Sequence, residues 1–275
     1  MKNQIITFIG GGNMASSLIG GLIDTGMATE NLRVADPDPK SLADKNFPIQ
    51  CYTNNLHAIE GTNVVVLAVK PQILPDVAKS LATAIPTSPP LFISIVAGIR
   101  IVDLARWLGT SQSLPIVRVM SNTPALVRSG ASALFAGQDV SNNQRELAEN
   151  ILRAVGLTLW LEDETQMDAV TALSGSGPAY FFLIMEVLEK AAISLGLPQE
   201  NARLLTLQTG FGAAKMALES QEDAATLRAH VTSKGGTTEQ AIKALQTGGL
   251  QALFDQALKA AQQRAFSLAK QFGEQ

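Results

Sequence analysis

Two stretches of this sequence combine glycine with small polar residues in a way that suits the binding of an anion. FIGGGNMASSLIGGL places glycines at positions 10–12 between a predicted strand and a predicted helix. HVTSKGGTTEQAIKAL, from His230 to Leu245, breaks a long series of helical patterns, which then resumes at once. The first backbone N–H groups of a helix have no intrahelical partner, and they attract phosphates and carboxylates. Each stretch therefore has the composition of an anion receptor.

The first stretch fits the dinucleotide-binding pattern G-x-G-x-x-A, with Gly10, Gly12 and Ala15 at the defining positions. The first glycine allows a tight turn, the second lets the backbone approach a pyrophosphate, and the small third residue lets helix and strand pack closely. The pattern follows a strand and opens a helix, which is the context that it requires. It predicts a dinucleotide site, with a plain strand-to-helix turn as the alternative.

The elements around this loop alternate between strand and helix patterns. Short β-branched runs occur at residues 4–9, 32–36, 64–70, 91–98 and 115–120, and SALFAG and LTLWL are candidates to extend the same sheet. Several runs are apolar on both faces, as in the central strands of a parallel sheet covered by helices. The alternation predicts an α/β Rossmann-like N-terminal domain, residues 1–162, with a doubly wound sheet.

After about Glu162 the strand signal disappears, and the pattern predicts an all-α C-terminal domain over residues 163–275. Its helix from Tyr180 onward is apolar nearly all round. Such a helix is either the centre of a bundle or buried against another subunit. The apolar domain favours self-association, with a large monomer core as the alternative.

An acidic residue at the end of the second predicted strand bears on the choice of dinucleotide. Asp36 closes LRVAD, where a carboxylate usually accepts hydrogen bonds from the ribose hydroxyls and repels a 2′-phosphate. Taken alone, Asp36 favours NADH. Because Pro37 follows it, Asp36 is also a candidate helix cap, and the cations Arg33 and Lys40 are close in sequence.

Three more predicted strands end in small or polar residues. Lys70 and Pro71 close VVVLAVKP, Ala97 lies near the end of FISIVAG, and Asn122 follows PIVRVM. Ligands of open α/β sheets bind beyond the carboxyl ends of the strands, so these segments are expected to line one crevice. Pro71 can equally be a plain strand terminator.

The interruption TSKGGTTEQAI has two interpretations. In one, the glycines turn the chain between two helices and Thr237 caps the second, with Gln240 at capping-box spacing. In the other, exposed N–H groups at the helix start and the hydroxyls beside them bind a carboxylate. A second motif, LSGSGPAY, also puts hydroxyls and glycines at a predicted helix start, with Pro178 suited to the first turn.

Composition and missing motifs exclude several other classes of function. A net charge of −3 and a pI near 5.5 argue against nucleic acid or an anionic membrane as the main partner. The single cysteine, Cys51, excludes an internal disulfide and a cysteine-rich zinc site. His57 and His230 stand in no metal-binding or nucleophile motif, so no metal is expected. We find no apolar run of membrane-spanning length and no signal peptide, and therefore expect a soluble cytoplasmic protein.

Together these motifs resemble the pyrroline-5-carboxylate reductase family, which catalyses the last step of proline synthesis. The resemblance covers nearly the whole chain and rests on FIGGGNMA, LAVKP, SNTPA, LSGSGPAYFF and HVTSKGGTTEQA. It implies an N-terminal dinucleotide domain and a helical C-terminal domain that dimerises by interleaving its helices, often in a decameric ring of dimers. It also implies NADPH or NADH as hydride donor and L-1-pyrroline-5-carboxylate as substrate.

The resemblance also assigns roles to residues of this chain. The pyrophosphate is expected to lie against Gly10, Gly11, Gly12, Asn13 and Met14, and the adenosine ribose near Asp36 and Asn55. The nicotinamide side is expected to be lined by Ala68, Val69, Lys70, Pro71 and Ala97, with Asn122 close by. The substrate is expected to be bound by Ser233, Gly236, Thr237 and Thr238. Thr238 is also the expected catalytic residue, because it matches the residue that hydrogen-bonds the ring nitrogen.

Two positions depart from the family pattern. Asp36 stands where the family commonly has a small or hydroxyl residue, and this puts a preference for NADPH in question. Ser121 replaces the first proline of the family's M-P-N-T-P, while Asn122 and Pro124 are kept.

Two other functions fit the same plan less well. A β-hydroxyacid dehydrogenase typically needs a lysine base on its helical domain, and Lys190 and Lys215 are more simply solvated. A dinucleotide sensor without catalysis would not need a second carboxylate receptor such as the one at residues 233–238. The expected function is therefore the reduction of the cyclic imine to L-proline.

Overall fold

The computed structural model describes residues 4–38, 48–109 and 113–274. The chain forms two compact units, residues 1–176 together with 261–275, and residues 177–260. The predicted order of an α/β region before an all-α region is confirmed. The first unit continues past the predicted boundary at residue 162 to residue 176, and it also includes the end of the last helix.

An eight-stranded sheet frames the first unit, in the order β3-β2-β1-β4-β5-β6-β7-β8. The strands β1 to β8 are Ile6–Ile9, Leu32–Ala35, Gln50–Tyr52, Val64–Leu67, Leu91–Ser94, Ile116–Met120, Gly130–Ala136 and Gly156–Trp160. Strands β1 to β6 are parallel, β7 is antiparallel to β6, and β8 is parallel to β7. All the predicted runs are strands, and so are both extensions. Strand β3 was missed because it has three residues of mixed exposure and no apolar pattern.

Helices cover both faces of this sheet. In the first unit they are α1 Asn13–Asp24, α2 Asn55–Ala58, α3 Leu74–Ala82, α4 Ile101–Leu108, α5 Asn142–Arg153 and α6 Met167–Val170, followed by a π-helical turn Thr171–Gly175. Successive strand residues point to opposite faces, so Phe8 packs in the core on one side and Ile9 in the core on the other. Helix α1 buries Leu18 and Leu22 on one stripe against the first of these cores.

The order of the strands reverses at β1, which has β2 on one side and β4 on the other. The backbone at the ends of these strands is hydrogen-bonded from Gly10 N–H to Ala35 O and from Ala68 N–H to Ile9 O, both at 2.8 Å. A reversal of this kind opens the crevice in which doubly wound proteins bind nucleotides. The glycine loop thus lies at the switch point of the sheet.

The second unit is helical. It contains α7 Gly177–Ser194, α8 Gln199–Glu219, α9 Ala224–His230, α10 Thr237–Thr247 and the beginning of α11 Leu250–Gly273. Its apolar side chains are largely uncovered, with Phe181 65% and Leu218 84% exposed. Helix α7 is therefore not the buried centre of a bundle within one chain. Its burial against another subunit stays a prediction.

One helical stretch among the described residues is long and apolar enough to cross a membrane, judged by length and composition alone. It runs from Glu164 to Ser194 over 31 residues, its most apolar window has a mean hydropathy of 1.2, and only 11% of that window is buried. The expectation that no apolar run reaches this length is therefore wrong. An apolar helix that another protein chain covers has the same composition.

Candidate functional site

The glycine loop is shaped by one close contact and one open space. Gly10 has a φ of 99°, and a Cβ atom there would lie 2.6 Å from Ala68 O. Only glycine fits, because the conformation and the neighbouring strand both reject a side chain. At Gly12 an added Cβ would meet no protein atom within 4 Å. Gly12 is the N-cap of α1, so the space opens onto the free N–H groups at the helix start. These features fit a dinucleotide pyrophosphate.

The carboxylate of Asp36 is held directly over this loop. Its Oδ2 accepts a hydrogen bond from Gly11 N–H at 2.8 Å, and its Oδ1 accepts one from Asp38 N–H at 3.0 Å. The backbone N–H of Asp36 donates to Tyr52 O at 3.0 Å. The carboxylate therefore has a fixed position beside the glycine loop. Lys40, which is near Asp36 in sequence, lies outside the described residues.

The other predicted cofactor residues lie at the carboxyl ends of the neighbouring strands. Ala68 and Val69 follow β4, and exposed Lys70 precedes Pro71, the first residue of a short 3₁₀ turn. Exposed Ala97 follows β5. Half-buried Asn55 begins α2, whose N-cap is the preceding residue rather than Asn55 itself. The sheet thus brings these positions to one edge, although their contacts with a cofactor stay predictions.

Asn122 is tied to the protein by both ends of its side-chain amide. Its Oδ1 accepts a hydrogen bond from Ala131 N–H at 2.9 Å, and its Nδ2 donates to Ser174 O at 3.2 Å. The amide therefore links the end of β6 to the π-helical turn of the LSGSGPAY motif. Met120 packs there as well, since a Cβ atom at Gly175 would lie 2.2 Å from its Cε. Sequence reasoning missed the link to Ser174, because a contact across 52 residues leaves no local pattern.

The second glycine-rich stretch forms the start of α10. Gly235 has a φ of 73°, and Gly236 is the N-cap, so Thr237 and Thr238 are the first two helical residues. A Cβ atom at Gly236 would lie 2.6 Å from Ser233 Oγ. The predicted capping box with Thr237 as the cap is therefore wrong by one position. The hydroxyls of Thr237 and Thr238 are not needed for capping, and the helix start lies beside the hydroxyl of Ser233.

Glu239 shapes this loop and was not predicted. Its Oε2 accepts a hydrogen bond from Gly235 N–H at 2.8 Å. It occupies the third position after the cap, where a glutamate commonly reaches back to the N–H groups before a helix. The signal was present in the sequence as a glutamate three residues after Gly236. It was hidden by the assignment of the cap to Thr237.

Glu164 has a structural role in the first unit, whereas the two histidines of the chain lie at the surface. Glu164 begins a short 3₁₀ turn, and its Oε1 accepts hydrogen bonds from Arg118 Nη1 and from Ile101 N–H, both at 2.9 Å. The side chain of Arg118 is only 7% exposed, so Glu164 compensates a buried cation and caps α4. His57 is exposed on α2. His230, the last residue of α9, is exposed, and its Nδ1 lies 3.3 Å from Glu222 Oε2.

A cavity of about 1030 Å³ in the first unit is lined by charged residues that include Arg100, Arg118, Glu164 and Asp168. It contains none of the predicted site residues. Burial raises the pKa of the Asp168 carboxyl above its usual range, against the opposing charges of Arg118 and Arg100. Among the described residues, no three His, Cys, Asp or Glu side chains come together as metal ligands.

Comparison with known proteins decides the family. Residues 164–268 match the family model described as pyrroline-5-carboxylate reductase dimerisation, and residues 5–98 match that of an NADP oxidoreductase, coenzyme F420-dependent. A curated pyrroline-5-carboxylate reductase of Pseudomonas aeruginosa is 50% identical over 100% of both chains. The chain belongs to the pyrroline-5-carboxylate reductase family. The family predicted from the sequence motifs is thereby confirmed.

Solved structures of the family share the fold. The pyrroline-5-carboxylate reductase of Coxiella burnetii is 46% identical, with a TM-score of 0.92 over 96% of this chain and 98% of that one. The pyrroline carboxylate reductase of Plasmodium falciparum, solved with NADP bound, is 29% identical, with a TM-score of 0.86 over 98% and 99%. The Rossmann-like domain followed by a helical region matching the family's dimerisation domain is thus a family property.

Proposed function

We propose that this chain reduces L-1-pyrroline-5-carboxylate to L-proline with a hydride from NADH or NADPH, as the last step of proline biosynthesis. The observation that carries the proposal is the pairing of a dinucleotide crevice with a separate helix start rich in hydroxyls, within a chain of this family. A β-hydroxyacid dehydrogenase would need a lysine base, and both lysines considered for that role instead pair with glutamates one helical turn away, Lys190 with Glu186 and Lys215 with Glu219.

The first unit would hold the cofactor. The open space at Gly12 and the start of α1, with Asn13 and Met14, suits the pyrophosphate. We assign Asp36 and Asn55 to the adenosine side. The residues at the ends of β4, β5 and β6, which are Ala68, Val69, Lys70, Pro71, Ala97 and Asn122, are assigned to the nicotinamide side. When bound, the cofactor supplies the hydride, and these residues fix its orientation.

The second unit would bind the substrate. The first N–H groups of α10 and the Ser233 hydroxyl are suited to the carboxylate of the pyrroline ring, because they converge at the helix cap, Gly236. We assign Thr237 to the same carboxylate. Glu239 holds Gly235 N–H and so fixes the shape of the loop before any ligand arrives. A receptor that is already formed loses less conformational entropy when it binds.

Thr238 is assigned to catalysis. Reduction of the imine adds a hydride to carbon and a proton to nitrogen, and the imine can arrive already protonated. Thr238, half-buried in the first turn of α10, would orient the ring nitrogen through its hydroxyl. The protein then acts mainly by positioning. Thr238→Ala should lower kcat about 10- to 100-fold. Thr238→Ser keeps the hydroxyl and should restore most of the rate.

We propose that the chain works as a homo-oligomer, at least a dimer and in the larger form a decamer. The exposed apolar side chains of α7 and α8, among them Phe181, Phe182 and Phe211, lie within the region that matches the dimerisation model. A second copy of the chain would bury these side chains. We propose neither a membrane nor a nucleic acid as the partner. Light scattering in detergent-free buffer should give a mass at least twice 29.1 kDa. A monomer, or a protein that needs detergent, would contradict this.

We place the protein in the cytoplasm. Its single cysteine, Cys51, is an exposed free thiol, which suits a reducing compartment. Cell fractionation should recover the reductase activity in the soluble cytoplasmic fraction. Recovery with membranes would instead favour a role for the apolar stretch Glu164–Ser194 in lipid.

The test of the proposed function is the absorbance of the reduced nicotinamide with purified protein and pyrroline-5-carboxylate, run once with NADH and once with NADPH. Rapid oxidation with either dinucleotide and formation of L-proline are expected. A folded protein that binds the dinucleotide but does not oxidise it in the presence of any imine would be a sensor. Turnover of a hydroxyacid in place of the imine would indicate a dehydrogenase.

A further inference from the structure

The side chain of Asp36 is fixed by the protein on both of its oxygens. Oδ2 accepts from Gly11 N–H at 2.8 Å in the glycine loop, and Oδ1 accepts from Asp38 N–H at 3.0 Å in its own turn. The residue follows β2, whose partner β1 leads directly into the glycine loop. This carboxylate cannot swing away from the loop without leaving the buried N–H of Gly11 unpaired.

A carboxylate in this position discriminates between the two dinucleotides. Each of its oxygens has a second lone pair that can accept a hydrogen bond from a ribose hydroxyl. A 2′-phosphate carries a charge of about −1.5 to −2 at neutral pH, and its prevailing dianion offers acceptors only, so it would face a fixed negative charge with no hydrogen to share. The same contact therefore favours NADH and opposes NADPH.

The nearest cation in the described sequence does not neutralise this carboxylate. Arg33 lies on β2, but its guanidinium donates to Ala58 O at 3.2 Å and to Glu60 O at 2.7 Å. Both carbonyls lie at the end of α2, so the guanidinium is held there, and among the described residues it forms no ion pair with Asp36. Lys40, outside the described residues, is the rival cation that the sequence provides.

We propose that Asp36 makes this chain an NADH-preferring reductase and that the same carboxylate sets the shape of the glycine loop through Gly11. The proposal rests on the proposed function and refines its cofactor. The family model that matches residues 5–98 is that of an NADP oxidoreductase, and the Plasmodium structure holds NADP, so this preference would distinguish the chain from them.

The test compares Asp36→Asn with the parent protein. Asparagine keeps an oxygen for Gly11 N–H but removes the charge, and water can replace the lost acceptor of the exposed Asp38 N–H. We expect the parent to favour NADH at least about tenfold in kcat/KM, and the variant to lose most of that ratio. Asp36→Ala should weaken both dinucleotides, because it also removes the acceptor of Gly11 N–H.

Two controls make the result specific. Asp38→Asn removes the same charge two residues away while keeping the backbone N–H, and it should leave the ratio unchanged. Lys40→Gln should also leave it unchanged. A parent that prefers NADPH, a ratio unaffected by Asp36→Asn, or a ratio governed by Lys40 would overturn the proposal.

Failure of the proposal and failure of the proposed function can be separated. Dissociation constants of NADH and NADPH, measured by nicotinamide fluorescence without substrate, should show the same preference as kcat/KM. If the imine were not reduced but NADH still bound more tightly and Asp36→Asn abolished the difference, the function would be wrong and Asp36 would keep its role. If the imine were reduced equally well with both dinucleotides, the function would be right and Asp36 would not set the preference.

Discussion

The glycine loop of the first unit and the Ser233–Thr238 loop of the second both open a helix, yet different interactions shape them. Gly11 N–H is hydrogen-bonded to the side chain of Asp36, 25 residues away. The side chain of Asn122 is hydrogen-bonded to Ser174, 52 residues away. In the second loop, Gly235 is bonded to Glu239, only 4 residues away. The first site exists because the sheet brings distant strand ends together, whereas the second is built by one turn of chain.

The difference has consequences for substitution. Side chains around the first site also support the fold, so their loss is expected to lower stability together with function. Residues of the second loop are exposed or half-buried and have local partners, so their loss is expected to change substrate handling with little effect on folding. The predictions below test this contrast.

The largest expected loss of stability comes from breaking the ion pair of Glu164 and Arg118, which are 46 residues apart in the first unit. Glu164→Ala leaves a buried guanidinium without its counter-charge and Ile101 N–H without its acceptor. The free energy of unfolding should fall by about 3–5 kcal/mol in urea denaturation. Glu162→Ala, an exposed neighbour, should stay within about 0.5 kcal/mol of the parent. Equal values for the two variants would show that long-range pairing matters less here than the contrast requires.

A pair of glycine substitutions separates folding from cofactor binding in the first site. Gly10→Ala forces a side chain into a φ of 99° and against Ala68 O, and should cost roughly 2–4 kcal/mol of stability. Gly12→Ala enters open space and should cost less than about 1 kcal/mol, while it fills the approach to the pyrophosphate. Thermal melts with dinucleotide titrations would check this. If folded Gly12→Ala bound the dinucleotide as tightly as the parent, the pyrophosphate could not lie at this position.

In the second loop we expect a functional effect with little loss of stability. Gly236→Ala brings a methyl group within 2.6 Å of Ser233 Oγ, which can move because it ends a flexible side chain. The KM for the pyrroline should rise about tenfold, with unfolding changed by less than about 1 kcal/mol. Ser233→Ala combined with Gly236→Ala should be only slightly worse than Ser233→Ala alone, because the 2.6 Å contact is gone and only the 3.0 Å contact with the backbone O of residue 233 remains. Additive losses would mean that Gly236 acts independently of Ser233.

The smallest expected effect concerns Asp168, beside the charged cavity. Its pKa is raised by burial, so between the unfolded and the folded pKa the folded protein binds more protons than the unfolded chain. The free energy of unfolding therefore falls as the pH rises through that window, which begins near pH 4. Asp168→Asn should match the parent below it and be more stable above it, by less than about 1 kcal/mol because solvent screens the group. Denaturation at pH 3.5 and pH 7 would show a reversed order if Arg118 and Arg100 dominate.

The sequence predicts the two sites to different depths. The strand runs and the pattern from Gly10 to Ala15 locate the cofactor crevice, since buried strands and tight turns have strong local signatures. The bonds of Asp36 to Gly11 and of Asn122 to Ser174 could not be read, because they depend on strand order. The helix start at residues 236–238 was found by composition, but the cap was misplaced by one residue, because threonine and glycine are both acceptable caps. The sequence indicated that α7 is apolar nearly all round. It did not indicate that this surface is exposed in a single chain, because exposure depends on what packs against the helix.

The separate roles of the two loops can be tested by measuring, on Thr238→Ala, both the rate of NADH oxidation by pyrroline-5-carboxylate and the dissociation constant of NADH. If Thr238 serves the substrate and not the dinucleotide, turnover should fall about 10- to 100-fold below the parent, with NADH affinity within about twofold. Full turnover, or a loss of NADH affinity that accounts for the lower rate, would contradict the division of work between the two loops.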